Sequence, residues 1–187
     1  IVKLHKEADS RTIGLTKILV ELSGLVKKRN NKLSLTKKGK TLLKQDTKLL
    51  PLIFMTFITK FNWAYYDGYS DDHIGQLGSG FSMILLSKYG HENQTSSFYA
   101  NKYLKAFPHF IEKTKEPNHC SIEEYLSACY CLRTFDRFLN YFGLIESTSP
   151  KDILQSSSIK KTVLFDRFIH CLPPSQDSSG VLHWVHG

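Results

Sequence analysis

Lys27, Lys28, Arg29 and Lys32 crowd around the pair Asn30-Asn31, and Lys37, Lys38, Lys40 and Lys44 follow closely. Cations at this density suit contact with phosphates, where each neutralised charge releases counterions and adds affinity without reading sequence. Residues 1–48 carry 13 Lys and Arg against 4 Asp and Glu, a surplus of 9; the other 139 carry 12 against 13. The formal net charge of +8 therefore belongs to one segment, as an electrostatic footprint for a polyanion would. Lysines also protect exposed strand edges and solvate helix faces, so a merely soluble hairpin is the competing reading of the same residues.

Other groupings offer less chemistry. His119-Cys120, Cys129-x-Cys131 and His170-Cys171 could converge on a metal. On a helix, however, Cys-x-Cys aims its thiols about 200° apart, from a step of about 100° per residue. Structural zinc prefers wider Cys spacings, so no metal and no cofactor is expected. Asp71-Asp72-His73 joins carboxylates to an imidazole, yet at a helix start these residues also serve as caps and dipole partners. His183-x-x-His186 sits in a tail too short to hold a preorganised site. With no phosphate-cradling glycine loop, nucleophile elbow or metal-ligand motif, no enzyme is expected. Arg133, Asp136 and Arg137 read as surface or ion-pair residues. Tyr65, Tyr66, Tyr69, Phe98, Tyr99, Tyr103 and Phe107 supply rings that a protein interface favours, and that a helical core uses equally well.

The elements that must position these groups follow from periodicity. At 187 residues, 41% hydrophobic and 12% aromatic, the chain can build one packed domain or two small lobes sharing a core. Its longest apolar run, 49–58, is about half the length that crosses a bilayer, so no membrane association is expected. The chain opens on Ile1 rather than Met and shows no secretory signal, which reads as a fragment. Four cysteines make no disulfide framework here, and a cytoplasmic setting is expected.

Leu15, Ile18, Leu19 and Leu22 lie on one face of a helix over 11–23, capped by Ser10 and stopped by Gly24. Its exposed face would carry Arg11, Thr16, Lys17, Val20 and Glu21, a thin set for reading bases in a major groove. Strands over 25–29 and 32–35 join through Asn30-Asn31, which tolerates the positive φ of a tight turn. Leu33 and Leu35 should face inward, as should Leu42 and Leu43 on a helix over 37–45 capped by Thr36. Further helices are expected over 48–61, 73–89, 96–107 and 164–171. The longest spans 121–142, opened by the capping box Ser121-Ile-Glu-Glu124. Short strands are expected over 143–145 and 159–163, with a loop over 62–72, another over 147–158, and a poorly ordered tail.

One pattern occurs twice. Leu22-Ser-Gly-Leu-Val26 ends the first helix and Tyr141-Phe-Gly-Leu-Ile145 ends the longest. Each is followed by a strand, a gap, a second strand ending in Thr (Thr36, Thr162) and a short apolar helix. That order is the architecture of a winged helix; coincidence is the alternative, since helix–Gly–strand transitions are common. The stretch Leu22 to Leu43, with its Leu35-Thr-Lys-Lys-Gly39 turn, resembles the wing and following helix of bacterial winged-helix proteins. Together with Phe61-Asn-Trp63, Gly80-Phe-Ser82, Leu85-Leu-Ser-Lys-Tyr-Gly90, Ala106-Phe-Pro108 and Phe142-Gly-Leu144, residues 10–170 resemble the C-terminal region of a poorly characterised bacterial family. That family was first named from an open reading frame on a root-inducing plasmid. The resemblance implies a helical, winged-helix-like module whose first helices precede Ile1, and it names no catalytic residue.

The expected fold is mainly α with small β-hairpins, with a winged-helix-like unit at the N-terminus. A second unit at the C-terminus, around the long central helix, stays open. The expected organisation is a basic segment over 1–47, a helical core over 48–171 and a flexible tail over 172–187. The expected function is nucleic-acid association, to DNA or RNA, through Lys27, Lys28, Arg29, Lys32, Lys37, Lys38 and Lys40, with Arg11 and Lys17 beside them. The alternative is a protein-interaction or dimerisation module that binds no nucleic acid.

Overall fold

The computed structural model describes residues 10–65, 67–70, 73–115, 117–148 and 156–172. The Ser10 hydroxyl accepts the Ile13 N–H at 3.3 Å and starts helix α1 (Arg11–Leu22). The helix ends where Gly24 turns left-handed at φ +73°, a conformation that costs glycine little. Strands β1 (Val26–Arg29) and β2 (Lys32–Leu35) follow as an antiparallel hairpin, with Asn30 and Asn31 at φ +47° and +59°. Positive φ at both central residues is the mark of a tight primed turn, and asparagine tolerates it. Thr36 then caps α2 (Lys37–Leu42).

Helix α3 (Asp46–Thr59) brings Phe54 and Phe57 against the longest helix, Phe57 stacking on Phe138 at 5.1 Å. Next come α4 (Ser79–Tyr89), the two-residue strand β3 (Gln94–Thr95), α5 (Ser96–Ala106) and α6 (His109–Lys113). The long helical stretch is α7 (Ile122–Cys131) running into a π-helical segment (Leu132–Leu139). Strands β4 (Ile145–Thr148) and β5 (Ser158–Lys161) and helix α8 (Val163–Phe168) complete the described chain. The second sheet is antiparallel in the order β3-β5-β4. The molecule is thus mainly helical with two small antiparallel sheets. Leu19 of α1 is fully buried with Phe54, Trp63, Tyr130 and Phe138, so both sides of residue 47 share one core. Among the described residues no helix is long and apolar enough to cross a membrane.

The repeated sequence pattern is a repeated hydrogen-bond pattern. Gly143, like Gly24, is left-handed, at φ +66°. Leu25 N–H donates to the Val20 carbonyl at 3.0 Å, and Leu144 N–H to the Leu139 carbonyl at 2.9 Å. Thr36 N–H donates to Leu25 O and Thr162 N–H to Leu144 O, both at 3.0 Å. Thr36 Oγ1 donates to Gly24 O at 2.7 Å, and Thr162 Oγ1 to Gly143 O at 2.8 Å. Each threonine oxygen also accepts the N–H three residues on, from Gly39 and Phe165. The hairpins share their register: Val26↔Leu35 through Arg29↔Lys32 corresponds pair by pair to Ile145↔Lys161 through Thr148↔Ser158.

Several expectations are corrected. The helix expected over 73–89 begins only at Ser79, because Gly75 and Gly78 sit at φ +82° and +76°. A side chain at Gly78 would also meet the Phe107 ring, its Cβ 2.4 Å from the nearest ring carbon. The helix expected over 121–142 becomes π-helical after Cys131, with Asn140 N–H donating five residues back to Phe135 O. Strand 143–145 is displaced to β4 because Gly143 and Leu144 still cap the helix. Strand 159–163 ends at Lys161 because Thr162 caps α8. Strand β3 lies between the helices expected over 73–89 and 96–107, where no strand is expected, since two residues carry no periodicity that would mark one. Leu33 and Leu35 do not face inward: β2 is exposed along its whole length. Leu43 and Leu22 are exposed as well, since the described chain lays no third layer over the hairpin. Residues 149–155 of the expected loop and 173–187 of the expected tail lie outside the described residues.

Candidate nucleic-acid interface

Strand pleating decides which cations act together. Alternate residues share a face, and directly opposed residues share it too. The register therefore puts Lys27, Arg29, Lys32 and Ser34 on one face, and Val26, Lys28, Leu33 and Leu35 on the other. Arg29 and Lys32 stand directly opposite one another beside the Asn30-Asn31 turn. Like charges so placed repel, and an anion bridging them would remove the repulsion. Lys27, Lys28, Arg29 and Lys32 are all exposed, as are Lys37 and Lys40 on α2 and Lys44 beyond it. Among the described residues none of these seven pairs with a carboxylate.

Three of the expected contacts stand apart. Lys38 reaches back to donate to the Ser23 carbonyl at 2.9 Å, so its charge is engaged at the end of α1. Lys17 is half-buried and engaged. Arg11 is the first residue of α1, and its side chain lies outside what the structure describes. The face of α1 that would read bases is reduced further, since Thr16 Oγ1 meets the Tyr141 hydroxyl at 2.8 Å and Val20 is half-buried.

The equivalent hairpin at the C-terminus has different chemistry. Glu146 stands opposite Lys160 there. Lys161 is buried and donates to Asp166 at 2.7 Å and to the Ser87 carbonyl at 3.3 Å, with His91 Nε2 also at 3.3 Å. Among the described residues of that hairpin no cationic array forms.

The expectation that Arg133, Asp136 and Arg137 are surface or ion-pair residues divides. The surface reading fails for Arg133: its side chain and that of Asp67 are both 0% exposed, and they pair at 2.5 Å. Arg133 Nη1 donates in addition to the Ile74 carbonyl at 3.3 Å, while Arg137 Nη1 donates to Tyr65 O at 2.7 Å. No local signal marks such a pair, because Asp67 and Arg133 are far apart in the chain. A cleft of about 930 Å³ opens between α1 and the π-helical segment, lined by Leu15, Ile18, Phe61, Leu132, Asp136 and Tyr141 among others. Burial there pushes the Asp136 carboxyl above its ordinary range.

The aromatic set that suits either an interface or a helical core is largely core. Tyr99 and Tyr103 are fully buried and Tyr103 stacks on Tyr130 at 4.3 Å, whereas Tyr65 is exposed and Tyr66 lies outside the described residues. Among the cysteines, Cys129 is buried and burial pushes the Cys131 thiol up to about 12; Cys120 and Cys171 are exposed. No group of His, Cys, Asp and Glu among the described residues is placed to hold a metal ion. Asp71, Asp72, His183 and His186 lie outside the described residues, and His73 is exposed. Comparison with protein-family models, with curated proteins and with solved structures finds no match.

Proposed function

We propose that this chain associates with nucleic acid by gripping phosphates through the β1–β2 hairpin. The observation that carries the reading is the register, which lines Lys27, Arg29 and Lys32 along one exposed face without a carboxylate partner among the described residues. Lys28, Lys37 and Lys40 extend the same field. The hairpin works as a wing that binds backbone, because α1 offers few free polar groups for reading base edges.

We further infer that the scaffold is winged-helix-like in two places. The C-terminal unit is the fuller one, with α4, β3, α5, α7, β4 and β5 in order and β3 laid against β5. The N-terminal unit comprises α1, the hairpin and α2. The shared hydrogen bonds and register support descent of both from one pattern, and the family resemblance of residues 10–170 points the same way. In this scheme the cationic wing makes the contact and the C-terminal unit, whose long helix is built into the core, supports it.

A salt titration of binding to unrelated duplexes tests the reading. Affinity should fall log-linearly with salt and differ little between sequences. Changing Lys27, Lys28, Arg29 and Lys32 to Ala should weaken binding and flatten the slope by about 0.9 for each phosphate that is no longer neutralised. No duplex binding at low salt, or a slope unchanged by the four substitutions, would overturn it.

A further inference from the structure

The π-turn builds one wall of the cleft between α1 and the long helix. A π-helix sets residues four and five apart above one another, and Leu132, Asp136, Arg137, Asn140 and Tyr141 line the cleft at those spacings. Leu15 and Ile18 of α1 line the other side, and Phe61 and Tyr65 contribute rings. Thr16 Oγ1 and the Tyr141 hydroxyl, 2.8 Å apart, tie the two sides together. The volume of about 930 Å³ falls within the range of roughly 300–1,000 Å³ of small-molecule sites. Two charged side chains of this wall differ in state. Arg137 is engaged, its Nη1 donating to Tyr65 O at 2.7 Å. Asp136 has no hydrogen-bond or ion-pair partner among the described residues. Burial pushes its carboxyl above the ordinary range, the mark of an anion short of both water and counter-charge.

We propose that the cleft binds a small organic cation, an ammonium carried on an aromatic body, with Asp136 as its counter-charge. Ammonium and carboxylate form a charge-assisted pair, and the rings of Phe61, Tyr65 and Tyr141 supply π-systems that attract a cation and suit an aromatic body. A neutral occupant would strip water from the Asp136 carboxylate and give nothing back, and an anion would meet like charge. The chain's formal net charge of +8 repels cations overall, so uptake of one requires a specific site. Gly14 gives an independent handle on the location. It lines the cleft, and a Cβ built there meets nothing within 4 Å, so a larger residue at this position projects into open space. The cleft stands apart from the β1–β2 hairpin, so amine binding and duplex binding succeed or fail separately.

Indole-3-ethylamine and its neutral analogue indole-3-ethanol are the probes, titrated into the isotopically labelled full chain. Residues 1–9 must be present, because Ser10 lines the cleft. The expected result is a saturable shift of the Leu15, Ile18, Asp136 and Asn140 amide signals by the amine, with the alcohol weaker by about tenfold or more. Asp136→Asn keeps the shape and should bring the amine down to the affinity of the alcohol, leaving the alcohol unchanged. Gly14→Leu raises helix propensity and should abolish the shifts while duplex affinity holds. No shift by the amine at millimolar concentration would overturn the proposal, and so would equal affinity for amine and alcohol. Shifts that persist in Gly14→Leu would do the same. The comparison of amine with alcohol keeps the test decisive if Asp136→Asn disturbs folding.

Discussion

Asp67 and Arg133 carry the most consequential pair of side chains outside the hairpin. Both are buried, and a buried pair is stable only while both members stay. Asp67→Asn leaves the guanidinium uncompensated and should cost about 3–5 kcal/mol in urea unfolding. A loss below about 1 kcal/mol would mean that the pair is solvated, as exposed pairs are. Buried groups also set the pH response. Burial holds the Cys131 thiol and the Tyr99 phenol up at about 12, above ordinary values of 9.0 and 10.0, and raises Tyr130 against the opposing hydrogen bond from Ser82. Raised values mean that the unfolded chain gives up these protons first. Stability is then fully present below about pH 9 and falls as pH rises from there through about 12. Urea midpoints between pH 7 and about pH 11 check this, and a midpoint that rises above pH 9 would contradict the sign.

At the scale of elements, the paired threonines make a matched experiment. Thr36 and Thr162 each donate to a glycine carbonyl across the hairpin mouth and accept a free N–H from the first turn of the next helix. Replacing either by Val keeps the shape and removes both bonds, at an expected cost of about 1–2 kcal/mol per site. The loss at Thr162 should be the larger, because its helix packs Phe165 into the core, whereas α2 buries only Gly39. Equal losses would mean that the caps act locally and that core packing adds nothing. The π-helical segment belongs to this scale too. Its wider turn takes a smaller step per residue and so draws Arg133, Phe135 and Phe138 toward one side, whereas a regular helix at about 100° per residue spreads them over about 200°.

Over the whole molecule, Leu19 links the basic segment to the rest. It is fully buried with rings from α3 and the long helix, so α1 and its hairpin should unfold together with the core. Leu19→Ala should cost about 2–5 kcal/mol and lower both transitions by the same amount. Trp63 fluorescence follows the core and hairpin amide signals follow the wing; curves that separate would show residues 1–47 folding on their own, as the charge boundary suggests. The charge asymmetry itself gives the molecule one strongly positive end, and steering of a polyanion toward that end is a property of the whole field.

By itself the sequence determined the local features: the Asn-Asn turn, the capping residues Ser10, Thr36 and Ser121, the Gly24 stop of α1, and the confinement of positive charge to the first quarter. Each is settled by a residue's own conformational preference or by neighbours within a few positions. Tertiary structure decided the rest. It engaged Lys38 at the end of α1, buried Arg133 against a carboxylate distant in the chain, and turned part of the long helix π-helical. It also covered Ile159 while leaving Leu33 open. Periodicity says which face is apolar, but what covers that face depends on strands and helices distant in sequence. Two hairpins with one pattern therefore ended with different surfaces.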